Sequence, residues 1–288
     1  MRSNASEYEL IAPGTLPEIL KALASGKYTP VAGGTEIMVM LGVGKLAPKN
    51  LLSLWGVKEL RFFDETPESL TIGAGCTFTD LRKNKTVATD FPLLSRAAAW
   101  TGSIANQNRG TLGGNIVNAS PAADSPPALL AYEAELELVS VRGTRKIAYS
   151  EFHLGYKKTA LAQDELLRAI ILPRRFGGHF QYSRKVGTRN AQAISKIAIA
   201  GVGKLHGGVV EKVALGAASL RETPIRCTAV ERSLLGKKLD ESAIAAARKA
   251  LESEIAPIDD IRSTAEYRAH VAGNLVEEFL REWLKAQG

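Results

Sequence analysis

The chain has 288 residues, 45% of them hydrophobic and 23% charged, and a formal net charge of +7 at pH 7. It is long for one domain and comfortable for two, and its composition is that of an ordinary globular protein with a real core. The basic residues are dispersed, with no Lys/Arg block interleaved with aromatics, which argues against a nucleic-acid binder; a solvated surface explains the charge, with an acidic partner or a phosphate-bearing ligand as the functional alternative.

No run of about 18 uninterrupted apolar residues occurs, so no membrane span is expected. The N-terminus lacks a charged start followed by an apolar segment, so no secretory signal is expected. Cys76 and Cys227 are too few for an iron–sulfur cluster or a zinc site; the plain reading is two reduced cytoplasmic thiols, with a disulfide between them as the weaker alternative. His153, His179, His206 and His270 show no metal-ligand spacing.

In chain order, Thr15-Leu-Pro-Glu18 has capping-box spacing, and Ile19, Leu20 and Leu23 follow on one helical face. Tyr28 to Ala32 reads as a short strand running into the glycine run Ala32-Gly33-Gly34-Thr35-Glu36. Asn50 to Leu54 and Leu70 to Ala74 read as further strands. Asp90 to Trp100 reads as a helix with Phe91, Leu94 and Ala98 on one side. Then comes Thr111-Leu-Gly-Gly-Asn115-Ile-Val-Asn-Ala-Ser120-Pro-Ala-Ala-Asp124, a polar, glycine-bearing stretch that reads as a loop with little to build a core from. Pro126-Pro127 open a short helix over Ala128 to Ala131. Glu135 to Val141 and Lys146 to Ala148 form a predicted hairpin turning at Arg142-Gly143. A strand over Leu166 to Leu172 stops at Pro173.

The proline-, arginine- and glycine-rich stretch Arg174 to Gly178 marks a domain boundary. It separates residues 1–175, with an internal break near 55–60, from residues 178–288. Beyond it lie a strand over His179 to Lys185 and two apolar strands, Ile197 to Leu205 and Val209 to Ala218, joined at His206-Gly207-Gly208. A helix over Ser242 to Leu251 follows. Leu275, Val276, Phe279, Leu280, Trp283 and Leu284 then recur at helical spacing and read as core.

The two glycine runs carry the chemistry. Neither matches G-x-G-x-x-G or the P-loop pattern, which argues against a Rossmann dinucleotide site and a P-loop. Consecutive backbone N–H groups can still hold a phosphate in a nest, and Gly33-Gly34 after a strand is placed for one. A Gly-Gly pair also marks ordinary tight turns, so both readings stand at this level. Thr35 can add a hydroxyl donor; Glu36 repels phosphate and suits ribose hydroxyls or backbone donors. Thr111 and Asn115 can donate to phosphate or a ring carbonyl. Asp124, acceptor-only when ionised, suits a ribityl hydroxyl or ring N–H, or else caps the helix after Pro126-Pro127. No nucleophile, general base, carboxylate pair or metal-ligand set is evident, so no residue is assigned a catalytic or metal-binding role, and a cofactor is expected to carry the chemistry.

Ala32-Gly-Gly-Thr-Glu36 and Thr111-Leu-Gly-Gly-Asn115 resemble the two flavin-binding loops of the molybdenum hydroxylases. The chain resembles in particular their separate FAD-binding subunit, of the xanthine dehydrogenase and carbon monoxide dehydrogenase type. Ala119-Ser-Pro-Ala-Ala-Asp124, Asp164-Glu-Leu-Leu167, Arg184-Lys185 with Arg189-Asn190-Ala191, Thr223-Pro-Ile-Arg226 and Arg262 to Arg268 are similar to further family signatures. The length suits a stand-alone subunit. Ile104-Ala-Asn-Gln107 departs from the family's Pro-Gln-Ile-Arg-like run.

The resemblance implies an α+β fold: an α/β FAD-binding domain of two subdomains, then a smaller α+β domain with a three-stranded sheet and helices. It implies that Val31, Ala32, Gly33, Gly34, Thr35, Glu36 and Ile37 line the adenosine and pyrophosphate of FAD. Thr111, Gly114, Asn115 and Val117 would touch the pyrophosphate and the path toward the flavin. Asp124 would contact the polar chain, Leu166 and Leu167 would pack near the ring system, and Lys185 would sit near it. It further implies a small iron–sulfur subunit with two [2Fe–2S] clusters, a large molybdopterin subunit, an acceptor such as NAD and a dimer of heterotrimers. The alternatives are a self-sufficient FAD-dependent oxidoreductase and a flavin-free scaffold subunit.

Overall fold

The structure is a computed structural model that describes residues 5–189 and 192–287. Asn190 and Ala191, part of one family-like signature, lie outside the described residues.

The chain opens with β1 (Glu9–Ile11), α1 (Leu16–Ala24), β2 (Thr29–Val31), α2 (Ile37–Gly42) and β3 (Asn50–Ser53). β3 lies between β1 and β2 and runs parallel to both. The capping box starts α1 as the spacing predicts: the Glu18 carboxylate accepts from the Thr15 N–H at 3.1 Å and the Thr15 hydroxyl at 2.9 Å. Ile19 and Leu23 on its inner face pack with Leu52, Val57 and Leu60. Because the strands are parallel, the segments following β2 and β3 leave by the same sheet edge, the edge where ligands settle on open α/β sheets.

A second, antiparallel sheet has the order β4-β5-β10-β6-β7. After β4 (Phe63–Glu65) and β5 (Ser69–Gly73), the chain inserts six helices before β6: α3 (Phe78–Lys83), α4 (Lys85–Asp90), α5 (Pro92–Trp100), α6 (Ile104–Gln107), α7 (Leu112–Val117) and α8 (Pro126–Ala131). The predicted hairpin forms β6 (Glu135–Ser140) and β7 (Gly143–Ala148), and a small ribbon, β8 (His153–Gly155) with β9 (Lys158–Thr159), leads into the central β10 (Leu166–Pro173).

β11 (Phe180–Val186), β12 (Ile197–His206) and β13 (Val209–Ala218) form the expected antiparallel sheet, to which a two-residue fourth strand, β14 (Ile225–Arg226), adds an edge. α9 (Thr228–Leu234), α10 (Glu241–Glu252) and α11 (Ala265–Lys285) cover it. Leu275, Val276, Phe279, Leu280 and Trp283 are core, as their spacing predicts, whereas Leu284, expected with them, is 39% exposed near the end of α11. Ala200, Val202 and Ala214 of β12 and β13 pack into the same cluster as Leu129 and Leu130 of α8, so a continuous core joins this sheet to the second one. No helix among the described residues is long and apolar enough to cross a membrane.

The stretch Thr111 to Asp124 differs from its reading as a core-poor loop. Leu112 to Val117 is helical, Leu112 and Ile116 are fully buried, and Ala119 and Ala123 are buried too. Two glycines lower helix propensity, but the Thr111 side chain caps this one by accepting from the Gly114 N–H at 3.0 Å.

Candidate functional site

A cleft of about 500 Å³, within the usual range for ligand sites, opens between the first two sheets. Its lining includes Val31, Ala32, Gly33, Gly34, Thr35, Glu36 and Ile37 from the first run, Thr111, Gly114, Asn115 and Val117 from the second, and Leu166 and Leu167 from β10. Thirteen of the fifteen expected site residues thus meet in one place although they span nearly half the sequence. Asp124 and Lys185 are not among the lining residues.

The two runs differ in what their backbones can offer. In the second, the Leu112 N–H donates to the Cys76 carbonyl and the Gly113 N–H to that of Ala74, each at 2.9 Å, and the Gly114 N–H is held by Thr111. The leading amides of α7 are spent inside the protein. What faces the cleft from this run is side-chain chemistry. The Thr111 hydroxyl proton is not used by the Gly114 contact, and the Asn115 amide is oriented by the Ser125 hydroxyl, which donates to Asn115 Oδ1 at 2.6 Å.

In the first run, the N–H groups of Gly33, Gly34, Thr35 and Glu36 find no acceptor among the described residues. Gly34 has a left-handed φ of +77°, which turns successive amides toward one side, the geometry of an anion nest. Gly33 has a different reason to be glycine. A Cβ there would lie 1.6 Å from the Arg109 carbonyl oxygen, so the two runs touch backbone to backbone. Lys157 also links them, donating to the Asn118 carbonyl at 2.8 Å and lying 4.0 Å from the Glu36 carboxylate.

Asp124 accepts from Lys185 Nζ at 2.9 Å and from the Ser195 hydroxyl at 2.7 Å, with both ionic side chains about nine-tenths buried. Burial pushes the Asp124 carboxyl up, opposed by Lys185 and Ser195. It does not cap α8, whose N-cap position is Ser125. Ser219 donates its N–H to the Pro121 carbonyl and its hydroxyl to the Ser195 carbonyl, and Arg268 of α11 donates to the Ser219 and Lys196 carbonyls. The stretch after α7 is therefore a clasp that fastens the third sheet to the cleft-bearing part. The two cysteines are buried and unpaired, and burial pushes the Cys76 thiol up to about 12.

Sequence reasoning missed Trp55, Arg61, Asn106, Asn118, Leu161 and Ile194, all of which line the cleft. Nothing in local spacing marks them. Trp55 reaches the site only because β3 is parallel to β2.

The family model for the FAD binding domain in molybdopterin dehydrogenase matches residues 6–175. The chain belongs to this family. A second model, the CO dehydrogenase flavoprotein C-terminal domain, matches residues 182–283 of the same family member. It is similar to the glyceraldehyde dehydrogenase medium chain of Sulfolobus acidocaldarius, at 30% identity over 96% of this chain and 98% of the relative. It is likewise similar to the xanthine dehydrogenase FAD-binding subunit of Escherichia coli, at 29% identity over 95% of each. Its fold superposes with a TM-score of 0.91 and 28% identity on a chain in the structure of carbon monoxide dehydrogenase from Hydrogenophaga pseudoflava lacking the Mo-pyranopterin moiety, covering 94% of this chain and 95% of that one. The chain is thus a FAD-binding subunit of the oxidoreductase type in the xanthine dehydrogenase-like molybdenum hydroxylases, and the free amides of Gly33 to Glu36 in its cleft fit the phosphates of that cofactor.

Proposed function

We propose that this chain holds FAD as an electron relay in a three-component molybdenum hydroxylase, taking electrons from the two [2Fe–2S] clusters of a small partner and passing them to an external acceptor such as NAD. The observation that carries the proposal is the run Gly33 to Glu36, which lines the cleft and whose amides find no acceptor among the described residues. When bound, FAD supplies chemistry that couples one-electron donors to a two-electron acceptor. Val31 to Ile37 hold the adenosine and diphosphate. Thr111, Asn115 and Val117 line the path toward the flavin, with Gly114 keeping that side bare, and Leu166 and Leu167 exclude water beside the ring. Asp124 and Lys185 act by fixing the stretch that follows α7.

The same reading divides the chain into a FAD domain over 1–175, with a break near 55–60, and a second domain over 178–288. It also implies a large molybdopterin partner, a dimer of heterotrimers and a cytoplasmic location, in keeping with two buried free thiols. The test uses the assembled complex with and without Gly33→Ala. With organic substrate supplied, the variant should still show cluster reduction, while reduction of the external acceptor stops. Acceptor reduction at the wild-type rate in a FAD-free variant complex contradicts the proposal.

A further inference from the structure

Two lining residues of the cleft, Trp55 and Phe78, carry aromatic rings; Phe78 is buried in the core, whereas Trp55 is 37% exposed. Trp55 leaves the sheet edge directly after β3, beside the first glycine run, with the preceding Leu54 N–H donating to the Val31 carbonyl at 2.9 Å. Over its ring, 3.7 Å from the centroid, sits the Arg109 guanidinium. Arg109 is also the residue whose carbonyl abuts Gly33. Arg61, the arginine lining the cleft, is committed to Asp80 through a bidentate contact at 2.9 Å. No carboxylate among the described residues lies within ion-pairing distance of Arg109. A flat indole and a row of free amides therefore line the cleft, and an uncompensated guanidinium lies stacked on that indole, just outside the lining residues.

We propose that Trp55 and Arg109 form a binding site for the nucleoside diphosphate half of the cofactor. The inference rests on the FAD reading and deepens it. The free amides donate to the diphosphate oxygens, Arg109 adds a full positive charge to their partial ones, and Trp55 gives the purine a face to stack on. The cation–π contact already holds Arg109 beside the first glycine run, so little side-chain freedom remains to be lost on binding. The site reads the adenosine diphosphate end, which distinguishes FAD from a flavin lacking it.

The test is titration of the full chain with ADP and, separately, with FAD, by calorimetry at two salt concentrations, comparing wild type with Trp55→Ala, Trp55→Phe, Arg109→Gln and Arg109→Lys. Wild type should bind ADP in competition with FAD. Trp55→Ala and Arg109→Gln should each weaken ADP at least tenfold, Trp55→Phe should stay within about threefold, and Arg109→Gln should lose much of the salt dependence that Arg109→Lys keeps. Thermal unfolding shows which variants are folded; if Trp55→Ala is not, Trp55→Leu answers in its place. Folded Trp55→Ala or Arg109→Gln chains that bind ADP within twofold of wild type overturn the proposal, as does a wild type that binds FAD but not ADP. A wild type that binds neither overturns the FAD reading itself.

Discussion

Replacing Gly33 by alanine separates a cofactor cradle from a simple turn. The added Cβ would lie 1.6 Å from the Arg109 carbonyl oxygen and 2.4 Å from its carbon, whereas real Cβ atoms essentially never come within 3.0 Å of such neighbours. The obstacle is backbone, so no rotamer relieves it, and the two runs must part by about 1.4 Å. Each hydrogen bond to a charged group contributes about 1.5–3 kcal/mol. If the displacement takes two of the four amides out of reach of the diphosphate, FAD binding weakens by about 3 kcal/mol, or roughly 100-fold. Two neighbours calibrate the effect. A Cβ on Gly34 would meet only the Met38 side chain, at an ordinary 3.6 Å, but its φ is +77°, so Gly34→Ala costs about 1 kcal/mol in backbone strain and several-fold in affinity. Gly42 has nothing within 4 Å and no left-handed φ, so Gly42→Ala should bind FAD within about twofold of wild type. Titration of each apo-chain with FAD, followed by flavin absorbance, gives the three constants, and circular dichroism checks the fold. A Gly33→Ala chain that binds FAD as well as Gly42→Ala refutes the placement of the diphosphate.

Thr111→Ala removes the α7 cap and should lower stability by about 1 kcal/mol in urea unfolding, since the Gly114 N–H loses its acceptor. Asp124→Ala leaves Lys185 buried without its carboxylate and should cost about 3 kcal/mol or more, seen as a drop in Tm well beyond that of an exposed pair such as Lys204 with Glu211. Burial holds the His153 imidazole down at about 4, against 6.5 for a free imidazole. The unfolded chain therefore takes up a proton that the folded one refuses, and stability should fall as pH drops from 6.5 toward 4. His153→Phe should flatten that part of the curve in denaturant titrations at a series of pH values.

The elements most legible in the sequence are those whose signal is local. The Thr15 capping box, the hairpin and the Leu275 to Trp283 stripe each state their structure within a few residues; the cap and the stripe form as read, and the hairpin forms with its turn one residue early, at Val141-Arg142, Gly143 already pairing with Ser140. α2 was illegible because its sequence is uniformly apolar and none of its residues is buried, so no periodicity separates inside from outside. α7 was illegible because its helix depends on a cap and on carbonyls donated by Ala74 and Cys76, far back in the chain. For the cleft, composition exposed the two glycine runs, but their unequal roles come from tertiary structure: one spends its amides on the segment after β5, the other leaves them free. Asp124 reads in the sequence as a polar group in search of a ligand, and only the return of Lys185 and Ser195 to the same spot shows what it holds.

The central claim is that the chain itself is built to hold FAD, and the visible spectrum of the purified chain, with mass analysis of whatever it releases on denaturation, tests it most directly. The account predicts a flavin spectrum and a released species of FAD mass, either as purified or after incubation with FAD, at about one per chain. A folded chain that stays colourless after that incubation contradicts it.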